Sequence, residues 1–400
     1  MLYLDHNATT QPTPGVIDAV NRAMIDCWAN PSSIHRAGQN AKHIVETSRA
    51  NIAALLGLKG PPRGLVFTGT GSEAIALAIT GSLAAMKSSP KRTLITSTVE
   101  HSAVRDLCDQ LESTSDINII SIPVSTSGLI DLQALESALN EDHGTAAKLV
   151  SIQWVNNETG VIQDIAAIGT LCRAHNALFH CDATQWVGKM ETALDGDPES
   201  GGLIDLLTAA PHKFHGIKGT GFLWARRGAR LLPMIPGSQE LGRRGGTEGV
   251  PAIAGAGQAA IEARNWLATG QTTRDQLASM RDCLETSIIH NCAPLLKHPV
   301  TINAGSAPRI WNTTNLAFPT LESEALLLTM SERGLCASGG AACASGSLEA
   351  SKVLLAMGIP EPSARGSIRL SLSRNTTQSE IDQAIQIVTS AVEIVARSMI

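Results

Sequence analysis

From about residue 60 to 225, short apolar runs alternate with helix-period segments, and this alternation constrains the fold more than any other feature of the chain. The runs are Leu65 to Phe67, Leu94 to Ser97, Ile117 to Val124, Leu149 to Val155, Ala177 to Cys181, Ile204 to Leu207 and Phe222 to Trp224. Each has the length of a buried strand, and the segment between two of them, Ile162 to His175, fits a helix. Strands joined by helical crossovers of that length lie parallel, because no tight turn can join parallel neighbours. The pattern therefore predicts an α/β fold whose mixed or parallel sheet is covered by helices.

After Thr247 the alternation stops. An Ala-rich helical stretch from Pro251 to Leu267 leads into the polar segment Ala268 to Gln276, whose composition suits a hinge. A chain of 400 residues exceeds what one core usually organises. We therefore expect a large domain over 15–255 and a smaller one formed by 1–14 with 256–400. Near the end, Thr377 and Glu380 stand in capping-box spacing, and Ile381, Ile385, Val388, Val392 and Val395 line one helix face.

Hydrophobic residues make up 43% and charged residues 17% of the chain, a balance that supports a folded core. The formal net charge of -5 offers no broad cationic surface, so neither nucleic acid nor an anionic membrane is an expected partner. Eight cysteines are scattered without a CxxC pair, which argues against a zinc ribbon or a disulfide framework and for reduced thiols in the cytoplasm. The first residues lack a basic-then-apolar leader, and no apolar run reaches the roughly 18 residues of a membrane span.

Gly69-Thr70-Gly71-Ser72-Glu73-Ala74 follows a strand and opens a helix, matching the G-x-G-x-x-A of dinucleotide sites. Its physical content is narrower: a helix N-terminus with close backbone approach and a hydroxyl can hold any phosphate, or the glycines can simply make a tight turn. Further features sit at strand ends, where open α/β sheets bind ligands: His101, Asn157, Asp182 with Gln185, and His212-Lys213. Together they match the needs of pyridoxal phosphate: an amine for an imine, a carboxylate for the ring nitrogen, donors for the phenolate oxygen, an aromatic face and an anion cradle. Lys213 lies between an apolar strand and the glycine-rich stretch Gly216 to Gly221, within reach of a strand-end pocket. Asp182 ends a buried run, where a carboxylate requires a cation, although its position also suits a helix cap.

Cys343 lies in a stretch from Cys336 to Ser347 that is too rich in Gly, Ser and Ala to pack well, a setting for an accessible and reactive thiol, whereas Cys336 at its edge suits burial. Arg369 interrupts a strand-like alternation, where its fork could clamp a carboxylate or join an ordinary salt bridge.

These residues closely resemble the cysteine desulfurases of the class V aminotransferase group, in the branch that includes the NifS and IscS proteins. The marks are Tyr3 to Thr10, Asn30 to His35, Val155 to Gly160, Asp182-Ala183-Thr184-Gln185, His212-Lys213, Arg243 to Glu248 and Ser338 to Leu348, so the likeness runs nearly end to end. It implies the pyridoxal-phosphate transferase fold type I, a large domain with a mostly parallel seven-stranded sheet plus a smaller α+β domain. It implies that Lys213 binds the cofactor covalently, Asp182 pairs with the ring nitrogen, Gln185 and Asn157 address the phenolate, and His101 stacks on the ring. Gly71, Ser72 and His212 would hold the phosphate, and Thr247 would reach the phosphate in a partner subunit of a homodimer. Arg369 would bind the substrate carboxylate, with Asn7 and Asn30 in the motifs around the same pocket.

The implied reaction takes sulfur from L-cysteine and releases L-alanine. Lys213 moves the α-proton, His101 serves as a proton carrier, and Cys343 keeps a persulfide for an iron-sulfur scaffold or sulfur-relay protein. No resident metal is implied, although Cys343 could transiently ligate a cluster on such a partner; nitrogenase and general cluster assembly both remain open as destinations. Three departures stand out: Ala210 where the family often has a hydroxyl, Pro211 where glycine is usual, and Pro236 to Glu240 in place of a more glycine-rich run. They predict a weaker grip on the cofactor. Among rivals, the Cys343 stretch speaks against a transaminase but not against a selenocysteine lyase, and a catalytically silent partner would have no use for Lys213, Asp182 and Cys343 together.

Overall fold

The computed structural model describes residues 1–86, 92–115, 117–141, 147–339 and 350–398. The chain begins with β1 (Leu2–Tyr3) and the helices α1 (Pro14–Asp26) and α2 (Arg36–Leu55). Alternation then runs through β2 (Leu65–Thr68), α3 (Gly71–Ala85), β3 (Arg92–Ser97), α4 (Ser102–Thr114), β4 (Ile117–Ile122), α5 (Leu132–Asn140), β5 (Ala147–Gln153), α6 (Ile165–Ala174), β6 (Leu178–Asp182), β7 (Leu206–Ala209) and β8 (Gly221–Ala225). All seven expected runs become strands, with the run at Ile204 displaced two residues onward.

The sheet order is β2-β8-β7-β6-β5-β3-β4. Neighbours from β7 to β4 are parallel, while β8 runs against both β7 and β2. Only β8 is reversed among the seven, so the other six end on one edge of the sheet. β2, β7 and β8 are buried along their whole length, as strands covered on both faces must be. On the flank, α7 (Val250–Leu267) packs on α1 and α2 through the small buried residues Ala256, Ala259, Ala260 and Ala263, whose lack of bulk lets the helix axes approach.

Most of the segment in which a hinge is expected, Ala268 to Gln276, is helical. Only Ala268 to Gly270 interrupts the helices, with Gly270 at φ 89°, before α8 (Gln271–Cys292) begins. Gln271 donates to Asp275 on the exposed side of the first turns, while the buried Arg274 donates to Gln271 and Glu191, so the polar side chains here belong to a helix rather than a linker.

The remainder comprises β9 (Thr301–Ile302), β10 (Thr313–Ala317), α9 (Ser323–Glu332), β11 (Leu335–Cys336), β12 (Ser338–Gly339), α10 (Lys352–Ala356), α11 (Glu361–Arg365), β13 (Ser367–Ser371) and α12 (Gln378–Ser398). A second sheet of order β12-β13-β10-β9, antiparallel throughout, is covered by α8 and α9, on which α12 packs, and this gives the α+β part of the fold. The expected capping box closes α12: the Thr377 N–H donates to Glu380 at 2.8 Å and the Glu380 N–H to the Thr377 hydroxyl at 3.3 Å. Cys336 is half-buried rather than buried. The first residues join this later part, β1 pairing with β11 and Asp5 bridging to Ser371.

Candidate active site

Where the six co-directional strands end, a cavity of about 580 Å³ opens, lined by Gly71, Ser72, His101, Asn157, Asp182, Gln185, His212, Lys213, Arg369 and Asn7 among others. Seven separate stretches of the chain supply these residues. Gly71 and Ser72 open α3, whose Thr70 side chain caps the Glu73 N–H at 3.0 Å, while the Glu73 carboxylate takes the Gly69 N–H at 2.6 Å. The N–H groups of Gly71 and Ser72 have no intrahelical partner and lie at the positive end of the helix dipole, which makes an anion cradle. The cradle sits close to β8 because Gly221 has no side chain: a Cβ there would lie 2.3 Å from the Thr70 carbonyl oxygen.

His101 caps α4, its Nδ1 accepting the Ala103 N–H at 3.1 Å, which leaves the ring proton on Nε2. The turn before it is anchored by the buried Glu100, which accepts from the Ser97 hydroxyl at 2.5 Å and the Gln153 N–H at 2.9 Å. Burial raises the Glu100 pKa to about 8, so this carboxyl is largely protonated at neutral pH. Asp182 ends β6; one carboxylate oxygen accepts the Thr184 N–H at 3.0 Å in a local turn, and the side chain lines the cavity; the next residues form a turn and no helix, so the helix-cap alternative is not met. Lys213 closes the short helical turn Pro211–Lys213 after β7, and its Nζ donates to the carbonyl oxygens of Asn7 at 2.6 Å and Ala8 at 2.8 Å. His212 contacts the Thr9 hydroxyl through Nδ1 at 3.1 Å, and burial with the charges of Lys213, Lys218 and Lys189 lowers its pKa to about 4. Ala210 presents only a methyl group to the cavity, so the hydroxyl its position could carry is missing here.

The opposite wall comes from the second sheet and the first residues. Arg369, 1% exposed at the centre of β13, donates to the Asn157 carbonyl oxygen at 2.9 Å and to Asp5 at 2.7 Å, and its Nε is buried without a partner. The salt bridge foreseen as its alternative therefore exists, but it is buried and leaves a donor over. Glu158 lines the cavity and accepts from the Ser351 hydroxyl at 2.5 Å; burial raises its pKa to about 7 against the opposing effects of Ser351, Arg369, Arg105 and His101.

The class-V aminotransferase profile matches residues 2–384. The chain belongs to the class-V aminotransferase family. A cysteine desulfurase of Nostoc sp. is 42% identical over 98% of this chain and 93% of its own length. Among solved structures, a NifS-like protein from Rickettsia africae superposes with a TM-score of 0.83 at 32% identity, covering 98% of this chain and 99% of its own. A protein called SspA, solved in complex with cysteine, gives 0.77 at 32% identity over 94% and 100% of the respective chains.

The family works with pyridoxal phosphate, and the donor set here fits that group: an amine at Lys213, a carboxylate at Asp182, an imidazole at His101 and the N-terminus of α3 around one cavity. Of the residues singled out in the sequence, Asn30 and Thr247 do not line it. Asn30 is exposed and takes the Ser32 N–H at 2.9 Å in a local turn, and Thr247 is exposed on the surface. Cys343 lies outside the described residues. Sequence reasoning passed over Asp5, Glu158, Lys189, Asn312 and Thr313. Asp5 and Glu158 stand inside motifs that carry the resemblance, whereas Lys189, Asn312 and Thr313 stand outside them.

Proposed function

We propose that the protein is a cysteine desulfurase, converting L-cysteine to L-alanine and retaining the sulfur on Cys343. The observation that carries this reading is the convergence of Lys213, Asp182, His101 and Arg369 on one cavity in a chain whose full-length relatives bear that name. Bound pyridoxal phosphate supplies an electron sink beside the substrate α-carbon. Lys213 is the covalent anchor and then the base for the α-proton, Asp182 balances the charge on the ring nitrogen, and His101 covers the ring face and carries a proton. Gln185 and Asn157 address the phenolate side, while Gly71, Ser72 and His212 hold the phosphate. Arg369, with an unused N–H, takes the substrate carboxylate, and Asn7 holds Lys213 in place through its carbonyl.

The sulfur step balances without an outside oxidant. The Cys343 thiolate attacks the substrate sulfur, an S–S bond forms as the C–S bond breaks, and the carbon keeps the electron pair and takes a proton. The persulfide on Cys343 then passes to an acceptor such as an iron-sulfur scaffold. The exposure of Asn30 and Thr247 suits residues that serve the cavity of a second copy in a homodimer. Among the described residues no helix is long and apolar enough to cross a membrane. We take the protein to act in the cytoplasm.

The decisive experiment measures alanine and sulfide released from cysteine with a reductant, alongside the visible absorbance of the bound cofactor. Lys213→Ala is expected to lose the absorbance of the covalently held cofactor and all turnover. Cys343→Ser is expected to keep the absorbance and lose turnover; normal cysteine turnover in that variant would reject the persulfide step.

A further inference from the structure

Lys189 is 5% exposed, yet it does not line the cavity; it stands behind Gln185 and Asn7, which do. Its Nζ donates to Gln185 Oε1 at 2.6 Å and to Asn7 Oδ1 at 2.9 Å. Neither acceptor is charged, and no carboxylate pairs with this amine among the described residues. A lysine buried as structural ballast would ordinarily be matched by a carboxylate. Here the amine is used as a pure donor to two side-chain amides.

An amide offers oxygen on one side and N–H on the other, and its orientation is normally ambiguous. Protonated, the lysine amine has three N–H groups and no lone pair, so both amides must turn their oxygens toward it; neutral, its two N–H groups still serve both oxygens. For Asn7 the consequence is visible: Asn312 Nδ2 joins at Oδ1 at 3.0 Å, and Asn7 Nδ2 is sent to Thr313 Oγ1 at 2.9 Å and the Asn157 carbonyl oxygen at 3.2 Å. For Gln185, Nε2 is sent to the Asn7 carbonyl oxygen at 3.0 Å, the same atom that accepts from Lys213 at 2.6 Å. One Nε2 hydrogen serves that bond and a second remains for the cavity. Burial, then the charges of Lys213 and Arg369, hold the Lys189 pKa well below its ordinary value, and a neutral amine still has the two N–H groups these acceptors require.

We propose that Lys189 is a positioning residue for the cofactor site, fixing from behind the cavity wall which way the Gln185 and Asn7 amides face so that Gln185 presents N–H to the cofactor. This rests on the reading of Gln185 as a cofactor ligand given above.

The test compares the wild type, Lys189→Met, Gln185→Met and the double variant as full chains. Each is loaded with pyridoxal phosphate and read by the position of the visible absorbance and circular dichroism bands, by the cofactor dissociation constant on titrating apoprotein, and by thermal unfolding of the apoprotein. Gln185→Met is expected to shift the band and weaken cofactor binding on the order of tenfold, the usual result of losing one buried donor. Lys189→Met should reproduce the band shift and most of that weakening, and the double variant should be no worse than Gln185→Met alone. A wild-type band in Lys189→Met, or a double variant as weak as the product of the two singles, overturns the proposal. An unchanged Gln185→Met rejects instead the reading of Gln185 as a ligand, a different pattern from either. Should Lys189→Met fail to fold, Lys189→Arg decides: it keeps donors toward both oxygens, so a wild-type band supports the proposal and a shifted band in a folded protein sinks it.

Discussion

The two walls of the cavity are built on different principles. The first stands on strand ends of the large sheet: Asp182 ends β6, His101 and Lys213 each follow a strand by four residues, and the apolar core lies behind them. The second stands on hydrogen bonds between distant parts of the chain. Asn7 bonds to Asn157, Lys189, Asn312, Thr313 and, through its backbone N–H, Ser371, while Arg369 reaches Asp5 across 364 positions. The difference suggests a division of labour, chemistry on the rigid sheet edge and substrate fit on the networked side.

That division can be broken by substitution. Asp182→Ala removes charge from the rigid wall and is expected to lower kcat by two to three orders of magnitude, roughly the scale of a lost electrostatic stabiliser, with a smaller change in KM in steady-state assays. If KM moved instead, chemistry would not be confined to that wall. Arg369→Lys removes the fork on the networked side and should raise KM for cysteine by about 30-fold while kcat changes far less. An equal loss in both constants would merge the two walls into one unit.

Glu158 belongs to both walls, following β5 and accepting from Ser351, and its pKa sharpens the comparison. A carboxyl raised from 4.5 to about 7 on folding binds more protons in the folded state, so its contribution to stability is present below pH 4.5 and lost as pH rises toward 7. Glu158→Gln should therefore gain on the wild type over that window by about 1–2 kcal/mol, read from urea unfolding at a series of pH values. A difference that stays flat with pH would mean the carboxyl is not held protonated. Least of all, Thr377→Ala removes the α12 cap, which does not line the cavity, and should cost about 1 kcal/mol, a Tm decrease of about 2 °C, with turnover untouched.

The same contrast explains what could be read from the chain. The seven apolar runs and the residues at their ends were legible because most of these strands are buried along nearly all of their length, which leaves a continuous hydrophobic signature, and because strand ends are where such sheets bind ligands. The capping box of α12 was legible because its two partners lie three residues apart. Gln271 to Gln276 misled because a helix start whose polar side chains pair with one another and with Glu191 is as polar in composition as a linker. Lys189, Asn312 and Thr313 were illegible because their roles come from partners up to 306 positions away, a separation on which local pattern is silent.

The joining of residues 4–7 to Ser371 carries a temporal consequence. During synthesis the first of these emerges hundreds of residues before the last, and a contact of such sequence separation contributes nothing until the loop between closes. A nascent chain can lay down the strand-end wall while still on the ribosome, but Asn7 has no Ser371 to hold it and Asp5 no Arg369 until β13 has been made. The site therefore matures late, and a chain stalled before residue 367 carries Lys213 without Arg369.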